Sequence, residues 1–298
     1  MDRIFGGIEA GGTKFVCVIA SGPNKIYAEE RFPTTTPQET IQKAVAFFNA
    51  YQKNNNIKLS ALGVGSFGPL DPNPTSKTFG FITSTPKPGW KNSDLLGPLK
   101  SNLNIPIAFD TDVNAAAIGE GLWGAAKGLD NFMYFTIGTG VGGGAIINGK
   151  PLHGLLHPEM GHIRLKHDLN FDPFEGNCPY HGDCFEGLVA GPALQKRFGQ
   201  PAYNLPIDHP GWDLVAHYIA LAMSDFICSF SPQRIILGGG VMQQTQLFPL
   251  IHEKTIQYLN GYVQSPVILE NIHKYIVPPK LGNQAGMLGS IAMAMQLF

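Results

Sequence analysis

The chemistry-bearing residues of this chain concentrate between 157 and 187: His157-Pro-Glu-Met-Gly-His162, then Cys178-Pro-Tyr-His181-Gly-Asp-Cys184-Phe-Glu186. A lone His precedes a Cys-x2-His-x2-Cys knuckle, and acids stand at both ends. Four soft or borderline ligands at short, loop-compatible spacing suit a closed tetrahedral zinc site. Two thiolates and two neutral imidazoles leave Zn²⁺ with no net charge, and a filled ligand set makes the metal structural. Glu159 and Glu186 flank this set. Carboxylates accept hydrogen bonds from hydroxyls, so a metal-pinned loop would present acids to a polar ligand.

Two glycine loops form a second group. Gly138-Thr139-Gly140-Val-Gly-Gly143 matches the dinucleotide fingerprint in letters. That fingerprint needs a helix directly after the loop, whereas Ala145-Ile-Ile-Asn-Gly-Lys150 reads as strand and turn. A Walker A loop fails as well, because Thr13 stands where Lys is needed. What fits is a β-hairpin whose glycines let backbone N–H groups approach an anion, with a Thr hydroxyl as further donor. Glu9-Ala-Gly11-Gly12-Thr13-Lys14 is a loop of the same kind, and Gly238-Gly239-Gly240 is a third glycine cluster. One such loop alone would read as a plain hairpin turn; the set favours phosphate binding.

The elements that must position these groups are legible in outline. Ile4 to Ile8 and Phe15 to Ala20 read as a hairpin around the first glycine loop, with a third strand over 25–32. Helical spacing runs from Pro37 to Lys53. A buried strand, 61–66, leads to Phe67-Gly68-Pro69. Residues 72–92, with Pro72, Pro74, Pro86 and Pro88, read as loop. A strand over 105–109 ends at Asp110-Thr111-Asp112-Val-Asn114, and a helix follows over 115–123 with Asp112 placed to cap it. Phe132 to Ile137 opens a second strand–glycine loop–strand unit with an Asn148-Gly149 turn. A helix over 213–230, a strand over 234–237 and a closing helix over 285–297 complete the reading. The fold class is α/β, and the repeated strand–glycine loop–strand pattern implies two related lobes.

At 298 residues two lobes are the default. A hydrophobic content of 44% with 14% charged residues is that of a compact globular chain. A net charge of −1 gives no basic footprint for nucleic acid. No apolar run is read as membrane-spanning, and no signal sequence is read at the start, so a cytoplasmic location is expected. Cys17 and Cys228 are read as small buried hydrophobes, without disulfides.

Taken in order, Glu9 to Lys14, Asp110 to Asn114, Gly138 to Gly144, Glu159 to His162, the Cys178/His181/Cys184 knuckle with Glu186, and Gly238 to Val241 resemble the ROK family of sugar kinases, repressors and related proteins. The resemblance spans essentially the whole chain, and its zinc segment is specific. It implies the actin-like ATPase (ribonuclease H-like) fold, with two lobes around a central cleft and a zinc-binding loop. Residues 1–113 would form the small lobe, completed by the helix at 285–298, and 114–284 the large one. Within the family, Glu9 to Lys14, Thr85-Pro-Lys-Pro-Gly-Trp90 and the Cys-x2-His-x2-Cys form are most similar to bacterial fructokinases.

The resemblance implies ATP, Mg²⁺ and Zn²⁺ as cofactors, a hexose as substrate, and a homodimer without nucleic-acid or membrane partners. Gly11, Gly12, Thr13 and Lys14 would form the first phosphate loop, and Gly138, Thr139 and Gly140 the second. Gly239, Gly240, Val241, Gln244 and Pro192 would lie by the adenosine. Asp112 would be the general base, and Gly68, Pro69, Thr111, Glu159, His162 and Glu186 would contact the sugar. His162 would double as zinc ligand with Cys178, His181 and Cys184, and Glu9 would contact magnesium. A plain helix cap is the bland reading of Asp112, and Asp110 is its rival as base; Asp112 is preferred because it alone sits at the strand–helix junction. His157 or His167 are rival distal ligands. His162 is preferred because Glu159, three residues earlier, lets one segment turn its acid and its imidazole to different tasks. His153, His157 and His167 are read as surface or supporting residues. Where many family members have Asp, Glu9 stands, and where glucose-type members have Asn, Thr111 stands. Fructose to fructose 6-phosphate is therefore expected. Another hexose (mannose, glucose or an N-acetylhexosamine), or a sugar-sensing protein without catalysis, stays open as the alternative. No helix-turn-helix is expected ahead of the first loop.

Overall fold

The computed structural model describes residues 3–298 and divides the chain into two units. The first comprises the chain up to Gly128, Pro151–Pro158 and Lys280–Phe298; the second comprises Leu129–Lys150 and Glu159–Pro279.

The first unit opens on the antiparallel hairpin of β1 (Phe5–Ala10) and β2 (Lys14–Gly22), extended by β3 (Lys25–Pro33). Helix α1 (Pro37–Asn55) follows, with Thr36 accepting from Glu39 N at its start. Strand β4 (Leu62–Ser66) leads into the loop containing 72–92, whose only pairing in strands is the short ribbon of β5 (Phe81–Ile82) and β6 (Ser93–Asp94). Helix α2 (Leu96–Leu103), strand β7 (Ile107–Thr111) and helix α3 (Asp112–Trp123) complete this run. The sheet order is β3-β2-β1-β4-β7, with β1, β4 and β7 parallel.

Alternation along β2 divides the packing. Phe15, Cys17 and Ile19 join a core with Ile41, Phe48, Leu62 and Leu99, while Val16, Val18 and Ala20 pack with Met287, Leu288 and Ile291. This second face can close tightly because Gly63 carries no side chain. A Cβ there would fall 1.8 Å from the Ser290 carbonyl oxygen of the C-terminal helix.

The second unit repeats the plan. Strands β8 (Phe132–Ile137) and β9 (Val141–Ile147) form an antiparallel hairpin, extended by β10 (Lys150–Pro151). Helices α4 (Phe185–Val189), α5 (Gly191–Phe198) and α6 (Gly211–Phe230) precede β11 (Arg234–Gly238). Helices α7 (Leu247–Leu259), α8 (Pro266–Leu269) and α9 (Ile272–Tyr275) lead to β12 (Ile276–Val277). The sheet order is β10-β9-β8-β11-β12, with β8, β11 and β12 parallel. Hairpin, third strand, then two parallel strands on the other side is the topology of the first sheet. Helix α10 (Ala285–Met295) returns the chain to the first unit, packing on α3, β1 and β4.

Three expectations change. Cys17 is buried, but Cys228 is exposed. The first unit continues through α3 to Gly128, past residue 113, because α3 packs on α10. And α6 is, among the described residues, the one helix long and apolar enough to cross a membrane, at a mean hydropathy of 1.3. More than half of that helix is buried, against α4 and α7, as in the core helix of a globular unit.

Candidate active site and metal centre

In the first unit the site residues gather at the C-terminal edge of the parallel strands, where α/β sheets place their ligands. Ser66 of β4 lies opposite Thr111 of β7. Gly68–Pro69, a cis peptide, follows β4. Thr111 caps α3, its hydroxyl accepting from Asn114 N at 3.1 Å. Asp112 is therefore the first residue of the helix rather than its cap, and its Oδ1 accepts from Val113 N at 2.9 Å. Its side chain is half-buried.

Asp110, two residues earlier, is in a different state. It is 4% exposed, and its Oδ1 accepts from Thr111 N at 2.7 Å and from Asn114 Nδ2 at 2.8 Å. His153 Nε2 lies 3.0 Å from its Oδ2. A buried carboxylate with these partners has its lone pairs committed to structure.

The Gly11–Lys14 turn is closed by Gly11 N donating to Lys14 O at 2.9 Å, and Thr34 Oγ1 donates to Gly11 O at 2.6 Å. Gly12 faces open space: a Cβ there would meet nothing nearer than Phe67 at 4.0 Å. Glu9, on β1, meets the start of α10. Its carboxylate accepts from Met287 N–H, and a Cβ on Gly286 would lie 2.7 Å from its carboxyl carbon. Burial raises its pKa above the usual carboxylate value, against the opposing charges of Lys14 and Arg31.

In the second unit three glycine segments converge. Gly191 N, at the start of α5, donates to Gly138 O at 2.7 Å, and a Cβ on Gly138 would come 3.6 Å from Gly240 N. Pro192 is thus one residue from the contact with the second glycine loop, and Thr139 is exposed at that loop's tip. Gly239 follows β11, Val241 opens a short 3₁₀ turn, and Gln244 ends it, accepting from Gln246 Nε2 at 3.0 Å.

Glu186, in the first turn of α4, accepts from Val141 N at 2.9 Å, just past the same loop. The segment holding Glu159 and His162 reaches this place because Gly161 fits where no side chain would: a Cβ there would be 1.9 Å from Val141 O. Glu159 keeps a face open to solvent. Desolvation of its carboxyl, then the charge of Glu186, push its pKa up to about 7.

Next to these acids, His162, Cys178, His181 and Cys184 bring their ligand atoms within 4.8 Å of one another. The knuckle is a tight turn, with Cys178 and Gly182 exchanging both backbone hydrogen bonds. His162 is drawn in by Phe185 N donating to Ile163 O at 3.0 Å. Sγ to Nδ1 distances are 3.7 Å from Cys178 to His162, 3.7 Å from Cys178 to His181 and 3.5 Å from Cys184 to His162. Zn–S bonds of ~2.3 Å and Zn–N bonds of ~2.05 Å at tetrahedral angles require edges of about 3.6 Å. The donor set fits Zn²⁺. Burial pushes the Cys184 thiol up to about 12, so it keeps its proton until a bound cation takes the sulfur and the proton is released to solvent.

Support for the knuckle comes from His167, read in the sequence as a surface or supporting residue, and from Arg164, Asp172, Asp183, Arg197 and Tyr218, to which no role was given. Arg164 Nη1 donates to His181 O at 2.6 Å and pairs with Asp183. His167 is a buried link, its Nδ1 3.1 Å from Asp183 Oδ2 and its Nε2 2.9 Å from Asp172 O. Asp172 in turn pairs with Arg197 of α5 and accepts from Tyr218 OH at 2.6 Å. Burial opposes its ionisation, but the Tyr218 and Arg197 hydrogen bonds outweigh that and lower its pKa. His157 is also mostly buried, so neither it nor His167 is a surface residue. The sequence signal for these supports was weak, since each bonds to partners distant along the chain.

Two sheets of one topology, each opening on a glycine hairpin, define a protein of the actin-like ATPase fold. A solved ROK hexokinase from Thermus thermophilus superposes on it with a TM-score of 0.78, at 24% identity over 99% of each chain. The ROK family matches residues 5–297, and the chain belongs to that family. A fructokinase of Lactococcus lactis subsp. cremoris is 48% identical over 299 residues, covering 100% of this chain and 99% of the relative. A fructokinase of Pediococcus pentosaceus is 46% identical over 291 residues, covering 98% and 97%.

Proposed function

We propose that this chain is an ATP-dependent sugar kinase that converts D-fructose to D-fructose 6-phosphate. Asp112 carries the reading: a half-buried carboxylate at the first position of α3, at the C-terminal edge of β4 and β7, beside a neighbour already committed to structure. Full-length fructokinase relatives at 41–48% identity support fructose as the acceptor.

In this account Asp112 accepts the proton of the fructose 6-hydroxyl as that oxygen bonds to the γ-phosphorus and the bridging oxygen leaves with ADP. General-base help of this kind contributes roughly 10²–10⁴-fold. Gly68, Pro69 and Thr111 are assigned to positioning the sugar, and Glu159, His162 and Glu186 to accepting or donating its hydrogen bonds. Gly11, Gly12, Thr13, Gly138, Thr139 and Gly140 offer N–H and hydroxyl donors to the phosphates, and Lys14 a cation. Gly239, Gly240, Val241, Gln244 and Pro192 flank the adenosine. Mg²⁺, when bound, neutralises phosphate charge, with Glu9 as its nearest acid in this reading. Zn²⁺ would be held by His162, Cys178, His181 and Cys184 and would fix the His162 ring for the sugar.

The test is ADP release by the purified protein across fructose, mannose, glucose and N-acetylhexosamines, with mass spectrometry of the product. Fructose should give the highest kcat/KM. A clear preference for another hexose would replace the acceptor, and no turnover with any would reject the kinase.

A further inference from the structure

Residues Pro151–Pro158 lie in sequence between two stretches of the second unit, yet belong to the first. Two imidazoles explain the attachment. His157 Nε2 accepts from Leu70 N–H at 3.1 Å, which fixes a neutral ring with its proton on Nδ1. His153 Nε2 lies 3.0 and 3.1 Å from the two carboxylate oxygens of Asp110. Leu70 directly follows Gly68–Pro69 at the end of β4, and Asp110 sits in β7, the next strand. One short segment therefore holds both loops at the edge where the sugar-side groups of this unit stand. Asp110 also grips the corner itself, through Thr111 N and Asn114 Nδ2.

We propose that His153 and His157 are positioning residues for the hexose: His157 fixes Gly68–Pro69, and His153, through its contact with Asp110, fixes the Asp110–Asn114 corner that carries Asp112. This rests on the hexose-kinase reading above. The groups facing the His153 ring are Asp110 from β7 and Asn114 from α3, and the neutral His157 ring stands on its own segment. The Asp110 hydrogen bond raises the pKa of His153 above its ordinary value, against desolvation. The bonded cation is thus complete below that ordinary value, and its hold is lost as pH rises through the raised one.

The experiment measures KM for fructose, KM for ATP, kcat and Tm in wild type, His153→Ala, His153→Gln and His157→Ala, from about pH 6 to about pH 8.5. Losing a charge-assisted hydrogen bond should raise the fructose KM of His153→Ala on the order of tenfold. His157→Ala should also raise it, and ATP KM should stay within about twofold in both. His153→Gln keeps an N–H donor that does not titrate. It should restore fructose KM near neutral pH and abolish the rise that wild type shows toward alkaline pH. Unchanged fructose KM in His153→Ala overturns the inference alone. So does an equal rise in both KM values with lowered Tm, the mark of a purely structural role, or a wild-type alkaline rise in His153→Gln. A wild-type chain that turns over no hexose overturns the kinase reading and this inference with it.

Discussion

At the strand–helix corner after β7, two aspartates two positions apart are separated by environment rather than by chemistry. Asp110 is sealed among Thr111 N, Asn114 and His153, while Asp112 stands half-buried at the first turn of α3. Their position at a strand–helix junction was legible in the sequence. The cap was not: both Thr and Asp cap helices well, and Thr111 takes the place expected for Asp112. His153 and His157 were read as surface or supporting residues, but what they support was illegible because their partners lie 43 and 87 positions away. Glu159 supplies the pH prediction at this scale. Its raised pKa, about 7, leaves it partly protonated at neutral pH. Zinc bound as proposed, by two thiolates and two neutral imidazoles, would add no net charge to reverse that. An ionised carboxylate offers both oxygens as acceptors to sugar hydroxyls. Fructose KM in wild type should therefore rise as pH falls below about 7, and Glu159→Gln should hold a high KM at every pH. A wild-type KM that is flat down to about pH 5.5 would contradict this.

Among elements, those built on period or on paired runs were readable: the two glycine hairpins, α1, α6 and α10. Helix α2 was missed because Gly97 and Pro98 in its first turn read as breakers, and its start is held by Asp94, whose Oδ1 accepts from Gly97 N at 2.7 Å. Helices α4 and α5 were missed because the knuckle's cysteines and glycines mask where it gives way to helix. The contact of the Met160–His162 turn with β9 depends on Gly161, whose hydrogen faces Val141 O. Gly161→Ala should force the two apart. Overpacking of this kind costs about 1–3 kcal/mol, so Tm should drop by several degrees and fructose KM should rise more than ATP KM. Thermal melts and initial rates check this; an alanine variant with wild-type Tm and KM would show that the contact is looser than described.

For the whole molecule, the repeated order of five strands explains why one glycine hairpin recurs about 130 residues on: each unit places a turn at the same point of the same topology. That duplication was legible as a repeated pattern. The extent of each unit was not, because the chain returns to the first unit twice, at Pro151–Pro158 and through α10. In the proposed function the metal centre would tie stability to sugar binding in the second unit. Chelating zinc, with metal content followed by mass spectrometry, should lower Tm by roughly 5–10 °C and raise fructose KM together. A zinc-free sample with unchanged Tm and KM would refute that link. The central claim, phosphoryl transfer from ATP to fructose with Asp112 as base, is tested most directly by fructose-dependent ADP release from wild type and Asp112→Asn side by side. The account predicts turnover in wild type, a fall of roughly 10²–10⁴-fold in kcat for the variant, and an unchanged Tm. Equal kcat in the two proteins would contradict it.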